Sequence, residues 1–338
     1  MLKGLNLPTE IAESLAGLGN LGVTKSTWST YRTAKTMLAK CEKDTHSDLS
    51  IPLDQKKTLI FIDWMVRCRN LKGSTINSYL AGIRQLHLIQ GLEAPDRSGL
   101  VKLVLKGISN KDGIQKRSTQ KTGRLPMTIS MMLVLKKLIN SSKRNIQDKR
   151  LLWAVSTIAF AGAFRIGELL SKCESTFDPN FTLLTKDVTW STDSSNKTIL
   201  HICLKCPKEA KTAAPTTVDV YQNDGPLCPI KAFMTWHKLK KPEQDMPIFR
   251  EKRGTPLTGA KMNRIIKQLL DPYTNKDKGF FGTHSFRIGL ASMLGNNGFT
   301  DEEIMVAGRW SSRAFEAYMK LKRRKRALMG RQISNLGQ

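Results

Sequence analysis

Acidic residues are scarce in this sequence. Its 338 residues include 28 Asp and Glu against 55 Lys and Arg, which gives a formal net charge of +27 at pH 7. An excess of one sign repels itself in a compact chain and favours a partner of opposite sign. Nucleic acid is the most common polyanionic partner; an anionic membrane surface and a ribosomal site are the alternatives.

Long apolar runs are also absent. No segment reaches the roughly 18 consecutive apolar residues of a transmembrane helix, so we expect no membrane span. The N-terminal segment has no sustained apolar core before a small-residue cleavage site, so we expect no secretory signal. Hydrophobic residues nevertheless make up 40% of the chain, which is enough for a folded core.

Cysteines are few, six in all, which favours a reducing compartment over a disulfide framework. Cys203 and Cys206 form a CxxC close to His201. No second ligand pair follows at zinc-finger spacing, and the segment alternates like a strand. We therefore interpret them as ordinary strand cysteines and expect no metal site.

The first third of the chain has helical patterning. Apolar residues recur three, four or seven apart, with basic residues between them. The predicted helices are 9–18, 26–43, 54–68, 74–89 and 98–108. They predict an all-helical, basic domain over 1–108.

Residues 109–124 interrupt this pattern. They are polar, contain five basic residues and one acidic residue, and show no apolar period. We predict a linker between two domains here. Because a basic linker can follow a phosphate backbone, the predicted DNA contacts are Lys116, Arg117, Lys121 and Arg124.

A second domain is predicted over 125–338, ending in a basic tail. The predicted helices are 125–140, 149–162, 228–240, 258–271, 284–296, 300–307 and 312–326. The predicted strands are 186–190, 198–204 and 216–221, with a turn between the first two. The fold class is therefore mainly α with a small antiparallel β-sheet.

Three groups of residues in this second domain suit phosphate chemistry. Arg165 closely follows a buried apolar helix, and Glu168 comes three residues later, placed to buttress an arginine. His284 and Arg287 are also three apart and share one face of a helix. Tyr318 lies two positions before the segment 320–326, in which six residues are basic.

Cleaving a phosphodiester without a metal needs a nucleophile, cations on the non-bridging oxygens and an acid for the leaving oxygen. Tyr318 can supply the first, and Arg165 and Arg287 the second, through bidentate guanidinium contacts. A lysine in 205–211 can supply the third. His284 can donate to the phosphate or take the tyrosine proton.

Each of these residues also has an ordinary explanation. A lone tyrosine or Trp310 is usually core, Arg165 can simply pair with Glu168, and lysines in a connection are usually solvated. No Walker loop and no carboxylate spacing of a two-metal nuclease occurs. Only the order of the residues along the chain points to one site.

That order resembles the tyrosine recombinase (phage integrase) family. Arg165 in GAFRIGEL resembles the first arginine box, HSFR from His284 to Arg287 the His-x-x-Arg box, and GRW with Tyr318 the last box. The likeness spans roughly 125–326, and 1–108 fits the core-binding domain more loosely. CPIKA from Cys228 and the RIG and GRW triplets resemble recombinases of eukaryotic mobile elements, including the DIRS-like, Ngaro and Crypton types.

The resemblance implies a role for each residue. Tyr318 would attack the scissile phosphate and form a 3′-phosphotyrosine. Lys205 would be the general acid, with Lys208 in reserve. Trp310 would take the place of a second histidine; because it is eight residues before the tyrosine rather than nine, Arg309 stays an alternative.

The resemblance also implies the partners. Two domains would close on double-stranded DNA as a clamp, and four protomers would join two DNA segments. No cofactor, metal, membrane or small-molecule substrate is implied, and the location would be the nucleus in a eukaryote or otherwise the cytoplasm. Residues 320–326 could contact DNA, direct nuclear import or dock on a neighbouring protomer.

Three other functions stay open. A type IB topoisomerase uses similar chemistry, but the short chain and the RIG triplet argue against it. A domesticated DNA-binding protein without activity would not need every site position filled. A basic structural protein would not need a buried arginine followed by the later boxes.

Overall fold

The computed structural model describes residues 8–11, 14, 25–95, 97–118, 123–205, 215–239, 243–274, 280–313 and 315, with backbone alone at 25–26 and 115–118. The chain divides into two compact units, Met1–Gln120 and Lys121–Gln338. Tyr318, Lys208, Lys121, most of the predicted helix 312–326 and the basic residues 320–326 lie outside the described residues.

Unit 1 is built from helices. They are α1 (Lys25–Thr45), α2 (Gln55–Arg67), α3 (Gly73–Ile89) and α4 (Gly99–Ser118). The apolar face of α2 is buried through Phe61, Ile62, Trp64 and Met65. The fully buried His87 accepts from the Leu53 N–H at 2.8 Å. The predicted helices 26–43, 54–68 and 74–89 are confirmed, and most of the predicted helix 9–18 lies outside the described residues.

Helix α4 runs past the predicted domain boundary. The apolar stripe ends near residue 108, but the helix continues to Ser118. The predicted end of this helix at 108, and with it the predicted start of the linker at 109, was therefore wrong. The Asp112 carboxylate accepts from the Gly73 N–H at 2.7 Å, and it caps α3, where Lys72 provides no side-chain cap. The end of an apolar stripe marks the end of burial, and an exposed helix can continue beyond it.

Unit 2 is assembled around one buried helix. Helix α6 (Ile146–Ala161) is buried almost continuously from Leu151 to Phe160, as the apolar run predicted. The other helices of unit 2 are α5 (Ile129–Ser141), α7 (Ile166–Leu169), α8 (Pro229–His237), α9 (Gly259–Leu270), α10 (His284–Asn296) and α11 (Asp301–Gly308). Helices α8 and α10 pack against α6.

A three-stranded antiparallel sheet covers part of this core, in the order β1-β2-β3. The strands are β1 (Val188–Thr192), β2 (Thr198–Leu204) and β3 (Thr216–Tyr221). The second and third match the prediction, whereas β1 starts two residues later than predicted because Thr185–Asp187 forms a 3-10 turn. The fold class, mainly α with a small antiparallel sheet, is confirmed.

Helix α5 begins later than its apolar pattern. The Leu125 N–H donates to the Phe280 carbonyl at 2.9 Å and the Met127 N–H to the Ser285 carbonyl at 2.9 Å. These bonds hold 124–127 extended beside the start of α10, and the Thr128 side chain then caps α5. Among the described helices, none is long and apolar enough to cross a membrane.

Candidate active site

A sharp turn at the C-terminal end of α6 carries Arg165. Ala163 takes a left-handed conformation with φ 47°. Gly162 is required there, because a Cβ at that position would overlap the Phe164 ring. The turn leaves the carbonyls of residues 162 and 163 at the negative end of the α6 dipole, which favours cations nearby.

Glu168 joins two arginines at this turn. Its carboxylate accepts from Arg165 Nη1 at 3.0 Å and from Arg309 Nη2 at 3.1 Å. It also accepts from the Arg165 main-chain N–H at 2.9 Å, which closes the first turn of α7. Its side chain is only 9% exposed, whereas that of Arg165 is 25% exposed. Glu168 thus contacts Arg165, the arginine that it was predicted to support.

Arg287 reaches the same turn from α10. Its Nη1 donates to the Ala163 carbonyl at 2.7 Å and its Nη2 to the Arg309 carbonyl at 3.4 Å. The residue is 1% exposed. On the same helix, Gly289 lets α10 pack closely on the extended segment before α5, because a Cβ there would overlap the Met127 carbonyl. Sequence alone does not show that Arg287 is bound to main-chain carbonyls at the end of α6.

His284 begins α10 among cations. Burial lowers its pKa most, and Arg124, Arg287 and Arg165 lower it further, to about 4. At neutral pH the imidazole is therefore uncharged, so it can accept a proton as well as donate one. Arg124, predicted as a linker contact, lies at this site because it pairs with Phe280 in a parallel bridge.

Arg309 and Trp310 follow α11 and face different partners. Arg309 ends the helix in a left-handed conformation, φ 52° and ψ 50°, and its guanidinium turns inward. The Trp310 ring lies over the Arg287 guanidinium at 4.5 Å and against Phe315 at 5.6 Å. Gly308 is required beneath it, because a Cβ there would overlap the indole.

Lys205 is engaged elsewhere. Its Nζ donates to the Pro179 carbonyl at 2.7 Å and the Thr182 carbonyl at 3.4 Å, and pairs with Asp187 at 2.7 Å. These three acceptors match the three donors of an ammonium group. In this conformation all three donors of Lys205 are occupied, and its assignment as the general acid stays a prediction. Its reserve, Lys208, lies outside the described residues.

The structure thus brings Arg165, His284, Arg287 and Trp310 together, with Glu168 and Arg309 behind them. The side chains of Lys116 and Arg117 are outside the described part. His201 bonds Ser191 and Asp219 across the sheet, at 2.8 Å each. In the described ranges, no group of three or more His, Cys, Asp or Glu could hold a metal ion.

No protein-family model and no curated protein matches this chain. Solved structures do. A Tn1549 transposon integrase in complex with circular intermediate DNA has 16% identity and a TM-score of 0.58, over 95% of this chain and 97% of that one. The XerH site-specific recombinase bound to a palindromic difH substrate, in a post-cleavage complex, has 13% identity and a TM-score of 0.58, over 88% and 78%.

A lambda integrase dimer bound to a COC′ core site is also similar, with 13% identity and a TM-score of 0.54 over 91% of this chain and 75% of that one. These structures are tyrosine recombinases. At such identities the likeness is one of fold. The chain therefore has the tyrosine recombinase fold, which confirms at the level of structure the resemblance that the motifs predicted.

Proposed function

We propose that this protein is a site-specific DNA recombinase that cleaves and rejoins strands through a 3′-phosphotyrosine. The observation that carries the proposal is the meeting of Arg165, Arg287 and an uncharged His284 at the end of α6. Similar solved structures with this fold are bound to DNA. The charge of +27 supports the same partner.

In this proposal the Tyr318 oxygen attacks phosphorus, and the bond from phosphorus to the 5′-oxygen breaks. The tyrosine proton passes to His284, whose uncharged imidazole can accept it. Arg165 holds the non-bridging oxygens, and Arg287 adds its charge from the buried side. The 5′-oxygen takes a proton from a lysine. Since the phosphotyrosine keeps the bond energy, rejoining needs no ATP and no metal.

Trp310 and a lysine supply the other two donors in this scheme, and only the lysine differs from the first prediction. The Trp310 ring lies over the Arg287 guanidinium, and in this proposal its indole N–H donates to the phosphate. Lys205 has three acceptors already, so we favour Lys208 as the general acid. Arg124, an exposed cation beside His284, would contact DNA at the edge of the site.

The wider setting belongs to the same proposal. By resemblance, four protomers would act on two double-stranded segments in the integration or excision of a mobile element, in the nucleus of a eukaryote. Association with DNA should weaken steeply as salt rises, because the basic residues release counterions on binding. A flat salt dependence would show that the charge serves another purpose.

One observation favours a second candidate, a DNA-binding protein without cleavage activity. Arg287 is 1% exposed and bound to two main-chain carbonyls, so in this conformation it cannot clamp a phosphate directly. Covalent capture separates the two functions, because a silent protein binds DNA and forms no adduct.

The test uses nicked duplexes with a randomised sequence around the nick, so that the target need not be known. The product strand escapes at the nick, and a covalent adduct accumulates and is sequenced after denaturation. We expect an adduct from the wild type and none from Tyr318→Phe. Tyr221→Phe is the matched control, since Tyr221 is 59% exposed on the sheet. An undiminished adduct from Tyr318→Phe would refute the nucleophile.

The acid is tested with a 5′-bridging phosphorothiolate at the site found by sequencing. A thiolate leaves with little protonation, so a variant lacking the acid recovers on this substrate. We expect recovery for Lys208→Ala. Lys205→Ala should instead lower the melting temperature and recover little. Recovery of Lys205→Ala alone would restore Lys205 as the acid. Relaxation of supercoiled plasmid without joining of two duplexes would indicate the topoisomerase function.

A further inference from the structure

The guanidinium of Arg309 is held entirely by the turn that carries Arg165. Its Nη1 donates to the Gly162 carbonyl at 2.8 Å and its Nη2 to Glu168 at 3.1 Å. Its Cζ lies over the Phe164 ring, 4.7 Å from the ring centroid. These partners are 141 and 147 residues away in sequence, so Arg309 links the last box to the first.

The main chain of the same residue meets the other arginine. Its carbonyl accepts from Arg287 at 3.4 Å, and the next residue, Trp310, stacks on that guanidinium. The left-handed backbone at 309 makes both contacts possible, because it ends α11 while the chain turns back over α10. Residue 309 therefore contacts Glu168, which binds Arg165, through its side chain. It contacts Arg287 directly through its carbonyl.

Arg309 is poorly placed for a phosphate. Its side chain is 20% exposed, and its forked end is directed into the α6 turn. Burial lowers its pKa and Glu168 opposes that change, as expected for a cation that depends on one carboxylate. An arginine whose fork already spans a carbonyl and a carboxylate has little to offer a second anion.

We propose that Arg309 is a positioning residue, which fixes Arg165 through Glu168 and Arg287 through its own carbonyl, and that it does not contact the scissile phosphate. This inference rests on the proposed recombinase function and adds a residue that aligns its two arginines. It also decides between Arg309 and Trp310 in favour of Trp310 as the residue that faces DNA.

The variants follow from the backbone. Gly and Asn tolerate the left-handed conformation, whereas Ala is strained there. Arg309→Gly therefore deletes the guanidinium and leaves the carbonyl and Trp310 in place. Arg309→Asn is the second, less flexible variant. Both are compared with the wild type by covalent adduct formation in a single turnover, DNA affinity and melting temperature.

We expect both variants to form adduct about ten- to a hundredfold more slowly, because small misalignments of catalytic groups have effects of that size. DNA affinity should stay within about twofold, since a phosphate contact is not lost. Methylguanidinium should restore part of the rate of Arg309→Gly at a temperature where the variant is fully folded. Adduct formation at the wild-type rate would overturn the inference.

A double-variant comparison identifies the route. If Arg309 acts through Glu168, Arg309→Gly should cost little more once Glu168→Gln is present. If the rate losses of the two single variants instead multiply in the double variant, Arg309 has an independent role on DNA, and the inference is overturned.

If the wild type forms no adduct, the recombinase proposal fails, and the positioning role is then tested by a measurement that does not need activity. NMR titration of His284 should then show a higher pKa in Arg309→Gly, as water enters and the arginines move; an unchanged pKa would refute the role.

Discussion

His284 should remain uncharged down to unusually low pH. A histidine in water has a pKa of about 6.5, so at pH 6 about three-quarters of it is cationic. With a pKa of about 4, only about 1% of His284 is cationic at pH 6 by the same relation. Burial is the main cause, and the three arginines add to it. This difference decides whether the imidazole can act as a base in the site.

The assay is an NMR titration of the histidine Cε1–H signals in the free protein, with His284→Gln to assign the signal. Arg124→Gln is the informative companion, because Arg124 is exposed and contributes only through its charge. We expect it to raise the pKa of His284 modestly, and less at high salt. A midpoint near the ordinary value of about 6.5 in the wild type would refute the geometry we describe.

DNA should reverse the shift. A phosphate beside His284 favours the imidazolium, so the pKa of the bound protein should rise above that of the free protein. By linkage, DNA affinity should then increase as pH falls from the bound pKa towards about 4. A pKa of His284 that does not change on DNA binding would place the phosphate elsewhere.

Two stability predictions accompany this one. Glu168→Gln should lower the free energy of unfolding by about 2–3 kcal/mol in urea titrations. This is somewhat below the ~3–5 kcal/mol for breaking a fully buried ion pair, because the two arginines are partly exposed. A loss under about 0.5 kcal/mol would contradict the contacts that we describe. Gly289→Ala should cost about 1–3 kcal/mol, because the new Cβ overlaps the Met127 carbonyl. The matched control is Gly107→Ala in α4, where a new Cβ would meet nothing within 4 Å. This variant should be neutral or stabilising by up to about 1 kcal/mol. Equal losses at both positions would show that the contact between the new Cβ and the Met127 carbonyl is not the cause.

Most helices of unit 2 could be predicted from the sequence. Helices α10 and α11 were predicted within one residue, because their apolar spacing and, for α11, the Thr300 cap are local properties. The Arg165–Glu168 pair was also within reach of sequence reasoning, since residues three apart on a helical turn are neighbours. Helix α4 was predicted too short because its last turns are polar.

The contacts of a single lysine could not be predicted in the same way. Lys205 directly follows β2, as a hairpin lysine of the site would, and its position along the chain fits the general acid. Its contacts with Pro179, Thr182 and Asp187 depend on how the segment before β1 folds back on the sheet. Sequence patterns along one element contain no information about that packing.

The sequence by itself determined the chemistry available: a large excess of positive charge, two arginines, a histidine, a tyrosine and the order in which they come. Only the tertiary structure decided which of them meet. Arg287 bonds a carbonyl 124 residues away, Arg124 reaches His284 through a bridge to Phe280, and Arg309 turns inward to Glu168. The physical reason is that apolar periodicity reflects burial along one helix, whereas these contacts form where separate elements pack together. Arg287 and Arg309 meet because both bind carbonyls at the C-terminal end of α6.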